Sequence, residues 1–315
     1  MIVIFGGTGT LGRALCRVIV DACDDPIYVV SRCEMRQKDM AREFPDINFV
    51  VGDVTNRDWE EQLPIACRHV FNLAAMKHVE IGEENVRRCI DINYLGVVNT
   101  YKYAEAAQAE SYSFSSTDKA VLPVNTYGLA KALGEKYLYE RVAKTRPTRP
   151  KISVYRWANV LGSRGSVFHK FARTIRDDGV AHVTHKDMTR FWIHIQDVAQ
   201  FMWEHRLEET PLRPHIPDMK ATSVVRLAKA IAQVLGCDVP EIRYTGIRPG
   251  EKIHECLYTS HEYCLTSQTC EQFSDDELLE LVKEVLNDSD FGRQGQHGAT
   301  LSSRATVSKH PLSSH

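Results

Sequence analysis

The chain has 315 residues, which is enough to bury a large core and fits one large domain or one domain with a smaller lobe. Its formal net charge of -2 provides no overall positive field, which argues against nucleic acid or a membrane surface as partner and favours a small ligand. No apolar run approaches the roughly 18 residues that a membrane span needs.

Short β-branched strands alternate with helical stretches in the first half of the chain. The predicted strands are residues 2–5, 27–30, 47–51, 69–73, 111–115 and 152–155. The predicted helices are residues 11–22, 35–43, an interrupted stretch over 79–109, and 127–144. Continuous apolar strands separated by helices predict a parallel sheet covered on both faces, which is a doubly wound Rossmann-type α/β fold.

The pattern becomes less regular after residue 156. Helices near residues 167–177, 196–207 and 223–235, with short strands between them, predict a smaller substrate-binding lobe over 157–286 that is partly interleaved with the first domain, residues 1–156. Residues 287–315 are rich in Ser, Gly, His and Thr and lack periodicity, so we expect a disordered tail there.

A glycine-rich loop joins the first predicted strand to the first predicted helix. Gly6 and Gly9 allow the backbone to turn and approach a pyrophosphate, and Gly12 allows close packing of the helix. The helix N-terminus offers free amides and a positive dipole to the phosphates. A glycine-rich loop is weak evidence alone, but at this place in an α/β pattern it predicts a dinucleotide site.

The end of the second strand normally reads the ribose of the cofactor. Here Ser31 and Arg32 are followed by Arg36 and Lys38, which favours NADP over NAD unless they form an ordinary basic helix start. Asp53, after the third strand, would place a carboxylate near the adenine amine or cap a helix.

Chemically active side chains follow the fifth strand. Thr117, Asp118 and Lys119 are adjacent, and Tyr127 and Lys131 lie one helical turn apart. A Tyr-x-x-x-Lys pair is common on solvated helix edges, and an Asp-Lys pair is common as an exposed ion pair. Together they supply a hydroxyl, a carboxyl, a phenol and two amines, enough to move a hydride and eliminate water.

Cysteines and histidines suggest neither disulfides nor a metal. The nine cysteines show no C-x-x-C pair, and the chain begins directly at a predicted strand without a signal peptide, so we expect reduced thiols and a cytoplasmic protein. The thirteen histidines show no paired ligand spacing, and no metal site is predicted.

The Gly-x-x-Gly-x-x-Gly loop, the Ser-Ser-Thr at the end of strand five and the Tyr-x-x-x-Lys pair resemble the extended short-chain dehydrogenase/reductase superfamily. More narrowly, five segments are similar to the soluble UDP-N-acetylglucosamine 4,6-dehydratases (5-inverting) of nonulosonate biosynthesis. These segments are residues 74–79, 116–120, 159–166, 188–191 and 246–252, and the resemblance covers residues 1 to about 280.

The resemblance implies NADP-dependent dehydration of UDP-N-acetylglucosamine at C4 and C6 with inversion at C5, for surface glycan or nonulosonate biosynthesis, in a homo-oligomer. Tyr127, supported by Lys131 and Thr117, would deprotonate the 4-hydroxyl. Lys119 would remove the C5 proton, which requires a pKa below its free value of about 10.4. Asp118 would protonate the departing 6-hydroxyl, which requires a raised pKa. A nucleotide-sugar epimerase and a non-catalytic NADP-binding sensor or structural subunit are the alternatives.

The resemblance also implies two sets of binding residues, in which planar Arg groups match the diphosphate unless they form surface salt bridges. The cofactor set is Gly6, Thr8, Gly9, Thr10, Leu11, Gly12, Ser31, Arg32, Arg36, Asp53, Val54, Leu73, Ala74, Lys77, Tyr127 and Lys131. The UDP-sugar set is Lys77, Asn159, Val160, Gly162, Ser163, Arg164, Val167, Arg190, Arg248, Glu251, Thr266 and Ser267. The chain departs from the family pattern at Cys33, Trp157-Ala158, His185-Lys186 and a shortened stretch from Glu255 to Thr266.

Overall fold

The computed structural model describes residues 1–144, 150–163, 165–210, 213–260 and 263–287. Its central feature is a six-stranded sheet in which every neighbouring pair is parallel. The strands are β1 (Ile2–Phe5), β2 (Ile27–Ser31), β3 (Asn48–Val51), β4 (His69–Asn72), β5 (Ser111–Ser115) and β6 (Lys151–Tyr155). Their order is β3-β2-β1-β4-β5-β6, which is that of a dinucleotide-binding Rossmann fold, and the predicted fold class is confirmed.

Helices connect these strands on both faces of the sheet. They are α1 (Thr10–Ala22), α2 (Glu34–Ala41), α3 (Val79–Glu84), α4 (Val86–Ile90), α5 (Gly96–Ala106) and α6 (Thr126–Ala143). The stretch predicted as an interrupted helix breaks at Asn85, and α4 passes into α5 through a π-helical turn, Asp91–Leu95.

The second half adds short strands and four more helices to the described part of the chain. In order they are β7 (Asn159–Leu161), α7 (Val167–Asp178), β8 (Val180–Val183), β9 (Thr189–His194), α8 (Ile195–Glu204), β10 (Lys220–Ser223), α9 (Val224–Val234), β11 (Glu241–Tyr244), β12 (Cys256–Thr259), β13 (Cys264–Thr266) and α10 (Asp275–Asn287). They form a three-stranded sheet β10-β9-β7 and the pairs β11-β8 and β12-β13.

The two faces of the large sheet have separate cores. On one face, Phe5 and Trp59 pack with side chains of α5 and α6. On the other, α1 packs with α8, whose Val198 and Met202 are completely buried there. The Rossmann unit is therefore completed by a helix from the second half of the chain.

The strand predictions agree with the structure to within one residue at each end. Helix α10 was not predicted, and the predicted tail includes its last residue, Asn287. The rest of that tail, 288–315, lies outside the described residues. Among the helices that the structure describes, none is long and apolar enough to cross a membrane.

Candidate active site

The glycine-rich loop has the backbone geometry that the sequence predicts. Gly6 has a φ of +77°, and a Cβ at this position would lie 2.7 Å from the backbone nitrogen of Ala74. A Cβ at Gly12 would lie 2.2 Å from the carbonyl oxygen of Gly7. Side chains at either position would collide with backbone, so only glycine fits.

The N-terminus of α1 lies at the end of β1 and forms an anion-binding feature. The helix begins at Thr10, and no side chain caps its N-cap residue, Gly9. A helix leaves the amides of its first turn without intrahelical acceptors and carries a positive dipole there. Leu73 donates its backbone N–H to Phe5 at 2.9 Å, so the ends of β1 and β4 meet beside this loop, at the switch point of the sheet.

The ribose end of the predicted cofactor site combines exposed basic side chains with a carboxylate that is hydrogen-bonded within the chain. Arg32 and Arg36 are both exposed after β2. Ser31 is buried, and its Oγ accepts from Gln37 Nε2 at 3.0 Å. Asp53 accepts from the backbone N–H of Thr55 at 3.0 Å, so its carboxylate closes the turn after β3.

Ion pairs also involve Asp53. Arg88 donates to Asp53 Oδ2, and Arg32 Nη1 lies 3.9 Å from the same oxygen. Partial burial would raise the pKa of Asp53, but the hydrogen bonds of Thr55 and the contact with Arg88 outweigh it and hold the pKa below its usual value. Of the other predicted cofactor residues, Val54 is buried, Ala74 is half-buried and Lys77 is exposed.

The predicted catalytic residues come together at the carboxyl end of β5. Thr117 follows the strand and caps a 3-10 turn, Asp118–Ala120, by accepting from the backbone N–H of Lys119. Thr117 Oγ1 donates to Asp118 Oδ1 at 2.9 Å, and Lys119 Nζ donates to the same oxygen at 3.0 Å. A Cβ at Gly128 would lie 2.1 Å from the carbonyl oxygen of Lys119, so this glycine lets α6 approach the turn.

Tyr127, in the first turn of α6, is buried beside this cluster. Burial raises the pKa of Tyr127 to about 12, while the charge of Lys119 and a hydrogen bond with Thr117 act in the opposite direction. The phenol is thus protonated at neutral pH in the chain alone, and a further positive charge is required to activate it.

Lys131 is almost fully buried one turn further along α6. Its Nζ donates to the carbonyl oxygen of Ser115 at 2.8 Å and lies 4.5 Å from the ring centroid of Phe114. Burial lowers the pKa of Lys131 to about 7, and the nearby carboxylate of Glu135 opposes this shift. The amine therefore changes protonation near neutral pH.

We expect Lys131→Met to stabilise the chain. The cost of burying the amine grows as pH falls from its ordinary pKa of 10.5 to its folded pKa of about 7 and is constant below that. At about pH 8 the variant should gain about 2 kcal/mol in free energy of unfolding, allowing for the lost hydrogen bond to Ser115. Urea denaturation at two pH values measures this, and the gain should shrink at about pH 10. Lys136→Met, at an exposed position of α6, is the control, and an equal gain there would contradict the prediction.

Asp118 is the most deeply buried acid of the site. It has no exposed surface, and its Oδ2 has no hydrogen-bond partner among the described residues. Burial raises the pKa of Asp118, helped by the nearby carboxylate of Glu255 and opposed by Lys119. The direction agrees with the predicted proton donor, and Oδ2 is the atom free to hold the proton.

Lys119 behaves differently from the prediction. Burial alone would lower its pKa, but the carboxylates of Asp118 and Glu255 outweigh burial and raise it above the usual value. The lowering of this pKa that the base role requires is absent in the chain alone, so that role stays a prediction. Burial lowers this pKa, but the charged groups in contact with Lys119 Nζ are anions, Asp118 Oδ1 at 3.0 Å and Glu255 Oε1 at 3.5 Å.

Glu255 is the site residue that the sequence analysis missed. It is 3% exposed, precedes β12, and lies within 4.0 Å of Arg190 and 3.8 Å of Lys252 as well as near Lys119. Despite burial, which acts in the other direction, these three cations lower the pKa of Glu255. Its sequence signal was weak, because it follows the recognised 246–252 segment and begins the shortened stretch, where the family pattern gives no guide.

Arg190 and Arg248, predicted to bind the diphosphate, are engaged within the protein. The buried guanidinium of Arg190 donates to the carbonyl oxygens of Thr189, Ile253 and Lys252 at 2.7–2.9 Å. The exposed side chain of Arg248 donates to Glu80. A diphosphate would have to displace these partners, so both roles stay predictions.

The other predicted sugar-site residues surround β7, β9 and β13. Glu251 accepts from the backbone N–H of Arg248 at 3.1 Å, and Asn159 donates weakly to Phe191 at 3.4 Å. Ser267 is completely buried, and its Oγ accepts from the backbone N–H of Glu255 at 3.0 Å. It thus holds Glu255 in place. Arg164 lies outside the described residues; the remaining predicted positions are Val160, Gly162, Ser163, Val167 and Thr266, which lie in or next to β7, α7 and β13.

The sequence model of one protein family, described as "Polysaccharide biosynthesis protein", matches residues 2–275. The chain belongs to this family. It is 34% identical over 312 residues to the UDP-N-acetylglucosamine 4,6-dehydratase (inverting) of Campylobacter jejuni subsp. jejuni serotype O:2, covering 94% of this chain and 89% of that protein. It is 33% identical over 270 residues to the UDP-glucose 4-epimerase of Rickettsia felis, covering 83% and 78%.

Solved structures show the same fold. The X-ray structure of Pen from Bacillus thuringiensis superposes with a TM-score of 0.84 at 26% identity and covers 90% of this chain and 97% of that one. More distant structures of this fold hold NAD together with a nucleotide or nucleotide sugar. The polysaccharide biosynthesis family thus places the chain among relatives that include dehydratases and epimerases of nucleotide sugars.

Two of the positions at which the sequence departs from the family pattern can be located in the structure. The shortened stretch forms the β12–β13 hairpin. Trp157 is buried and stacks on Tyr155 with ring centroids 5.7 Å apart, and its carbonyl oxygen accepts from the backbone N–H of Asp118 at 3.0 Å. Trp157 therefore supports the turn that carries the acid.

Two histidines and a glutamate lie close together in the structure, although the spacing of the histidines in the sequence shows no ligand pattern. Among the described residues, one set of potential ligand atoms, from His205, Glu208 and His215, lies within 4.8 Å. His205 Nδ1 contacts Glu208 at 2.9 Å, and the two imidazole rings stack with centroids 5.6 Å apart. The group is held by its own internal contacts, and the prediction of no metal remains a prediction.

Proposed function

We propose that the chain is an NADP-dependent UDP-N-acetylglucosamine 4,6-dehydratase that inverts C5, for surface glycan or nonulosonate biosynthesis. The observation that carries the proposal is the buried Asp118 with its ion-pair partner Lys119, beside the Thr117 that hydrogen-bonds both Asp118 and Tyr127 at the end of β5. An epimerase needs Tyr127 and Lys131 but not this acid. The 34% identity to a named inverting dehydratase supports the same choice.

The residues around the glycine loop fit a dinucleotide. The uncapped start of α1 would hold its pyrophosphate, and the exposed Arg32 and Arg36 would face a 2′-phosphate. The nicotinamide of a bound NADP would supply reversible hydride transfer from C4 to C6 of the sugar, which leaves no net redox change. Its positive charge is the further charge that Tyr127 requires.

Tyr127 is the base for the 4-hydroxyl of the sugar. Thr117 hydrogen-bonds the phenol, and the charge of Lys119 favours its ionised form. Lys131 sits one turn away with a pKa of about 7, so it can exchange protons near neutral pH without a large energetic penalty. Tyr127, Thr117 and Lys131 hold and move the proton released on forming the 4-ketone.

Asp118 and Lys119 carry out the elimination. Transfer of a proton from Lys119 to the Asp118 carboxylate across their 3.0 Å contact makes the amine the base that takes the C5 proton and makes Asp118 the acid that donates to the leaving 6-hydroxyl. The two states are linked: a proton on Asp118 removes one of the two anions that raise the pKa of Lys119. The remaining anion is Glu255. Return of a proton to C5 on the opposite face inverts that centre.

We expect Glu255→Gln to shift the rising limb of the pH–rate profile to lower pH. The substitution keeps the shape of the side chain and removes the second anion beside Lys119, so the amine loses its proton at lower pH. The profile of kcat between about pH 6 and about pH 10 measures the shift, which should be about one unit. The exposed Glu241→Gln is the control. An unshifted profile in Glu255→Gln, with activity retained, would contradict this role.

The activity is tested with purified chain, NADP and UDP-N-acetylglucosamine. Loss of one water by mass spectrometry and an inverted C5 by NMR in deuterated water are the expected results. An isomer of unchanged mass would replace the proposal with an epimerase, the activity that the Rickettsia felis relative is named for. Bound NADP without any conversion would replace it with a sensor or structural subunit.

The proposal includes a homo-oligomer, supported by an exposed apolar face. Leu129 and Leu133 lie one turn apart on α6 and are 52% and 48% exposed. Val86 of α4 and Leu95 of the π-helical turn, two segments that pack against α6, are exposed as well. Clustered exposed apolar side chains favour a partner surface, and a second copy is the partner proposed. Sedimentation should show at least a dimer, and Leu129→Lys with Leu133→Lys should give a monomer. A monomeric unsubstituted chain would contradict this.

A further inference from the structure

The β12–β13 hairpin joins the active site to a pair of thiols. Glu255, 3.5 Å from Lys119, immediately precedes Cys256 at the start of β12. Cys264 begins β13, and its Sγ lies 3.1 Å from Sγ of Cys256. These thiols play no part in the proposed chemistry, so their contact needs its own explanation.

The register of the hairpin explains the contact. Cys256 lies opposite Thr266, and Cys264, two residues before Thr266, faces the same side of the hairpin. Such diagonal neighbours are ordinarily about 7–8 Å apart. A bulge between Cys256 and Tyr258 breaks the regular pairing, and bulges redirect side chains, which brings the sulfurs together.

We propose that Cys256 and Cys264 are a redox-modification site that low-molecular-weight disulfides oxidise to an intramolecular disulfide, and that this bond controls the position of Glu255. The Cys264 thiolate attacks the small disulfide, forms a mixed disulfide and releases one small thiol. Cys256 then displaces the second small thiol. Two protein thiols are oxidised and one small disulfide is reduced to two thiols.

Exposure assigns the order of the two attacks. Cys264 is exposed and can meet a reagent from solution, whereas Cys256 is buried. Burial raises the pKa of Cys256 to about 12, with a further contribution from its contact with Cys264, so it is a poor first nucleophile. As the resolving thiol it needs only proximity, which the 3.1 Å contact provides.

The disulfide would act on the site through Glu255. A disulfide requires an S–S distance of about 2.05 Å, so the sulfurs must approach by about 1 Å. That movement falls on the bulge next to Glu255, whose backbone N–H donates to Ser267 Oγ. Displacement of Glu255 changes its distance to Lys119. This second half of the inference rests on the proposed function, whereas disulfide formation does not.

The test begins with oxidised glutathione and the full chain. Chymotrypsin is the appropriate protease, because Tyr258 and Tyr263 separate the two cysteines, whereas trypsin has no site between Lys252 and Lys283. The expected result is a peptide pair joined through Cys256 and Cys264 that dithiothreitol separates. Cys264→Ser should not form it, and Cys270→Ser should form it normally. Absence of the joined pair, or only Cys264–glutathione adducts, would overturn the site.

Turnover and hydrogen exchange test the control of Glu255. Oxidation should lower kcat on the order of tenfold, reversibly with dithiothreitol, and leave Cys264→Ser unaffected. Formation of the disulfide without any change in kcat would overturn this half. If neither the reduced nor the oxidised chain dehydrates the substrate, the proposed function fails, and hydrogen exchange still tests the disulfide. Unchanged exchange of the backbone amides around Glu255 on oxidation would show that the disulfide does not move Glu255.

Discussion

Replacement of Tyr127 by phenylalanine should lower turnover about 10²–10⁴-fold, the range expected for loss of a general base. The phenol is the group placed to take the proton of the 4-hydroxyl, because Thr117 hydrogen-bonds it and Lys119 stabilises its ionised form. Without that base no 4-ketone forms, so water loss and exchange at C5 should stop together. NADP should remain bound, since the glycine loop is untouched.

The measurement combines kcat with NADP affinity and C5 exchange in deuterated water. Tyr137→Phe is the matched control, because Tyr137 lies on the same helix and packs against Tyr94 and Tyr101 rather than the catalytic turn. Its turnover should be unchanged. Retained turnover in Tyr127→Phe would remove this residue from the reaction, and lost NADP binding would assign it a binding role instead.

The sheet and its cofactor edge were predictable because their determinants are local. The strand 2–5 was predicted with the residues that the structure gives it, since a continuous apolar run before a glycine-rich loop has few alternatives. Gly6 and Gly12 follow the same logic, because backbone clashes leave glycine no substitute. Helix α10 had a local signal too: Leu278, Val282 and Val285 recur at helical spacing and are buried, so it could have been predicted.

The electrostatics of the site depend partly on residues distant in sequence, so only part of them could be predicted. The raised pKa of Asp118 agrees with the prediction, whereas the lowered pKa that the role of Lys119 requires is absent. The pKa of Lys119 rises because of the carboxylate of its neighbour Asp118 and, next, that of Glu255. Glu255 lies 3.5 Å away through a contact that no local pattern encodes. Arg190 was recognised as a motif residue, but the direction of its guanidinium follows from the carbonyl oxygens of Lys252 and Ile253. Motifs identify which side chains are present, whereas the tertiary contacts decide their charge and direction.

Asp118→Asn should separate proton removal from elimination. Asparagine keeps the shape of the side chain and can hydrogen-bond Thr117, but it has no acidic proton for the leaving 6-hydroxyl. We expect water loss to fall about 10²–10³-fold, within the range for a lost general acid. Removal of the negative charge also lowers the pKa of Lys119, because Asp118 is the first of the two carboxylates that raise it. The base should therefore remain active.

Exchange at C5 is the measurement that separates these two effects. In deuterated water Asp118→Asn should return UDP-N-acetylglucosamine that carries deuterium at C5, while dehydrated product nearly disappears. Asp187→Asn, at an exposed ion pair with Lys186, should behave like the unsubstituted chain. Equal loss of C5 exchange and of water elimination would contradict the acid role. It would mean that Asp118 is needed by Lys119 or Tyr127 in a step before the 6-hydroxyl leaves. Continued elimination at the normal rate would show that another group donates the proton. The buried, unpartnered Oδ2 of Asp118 would then have no part in the elimination.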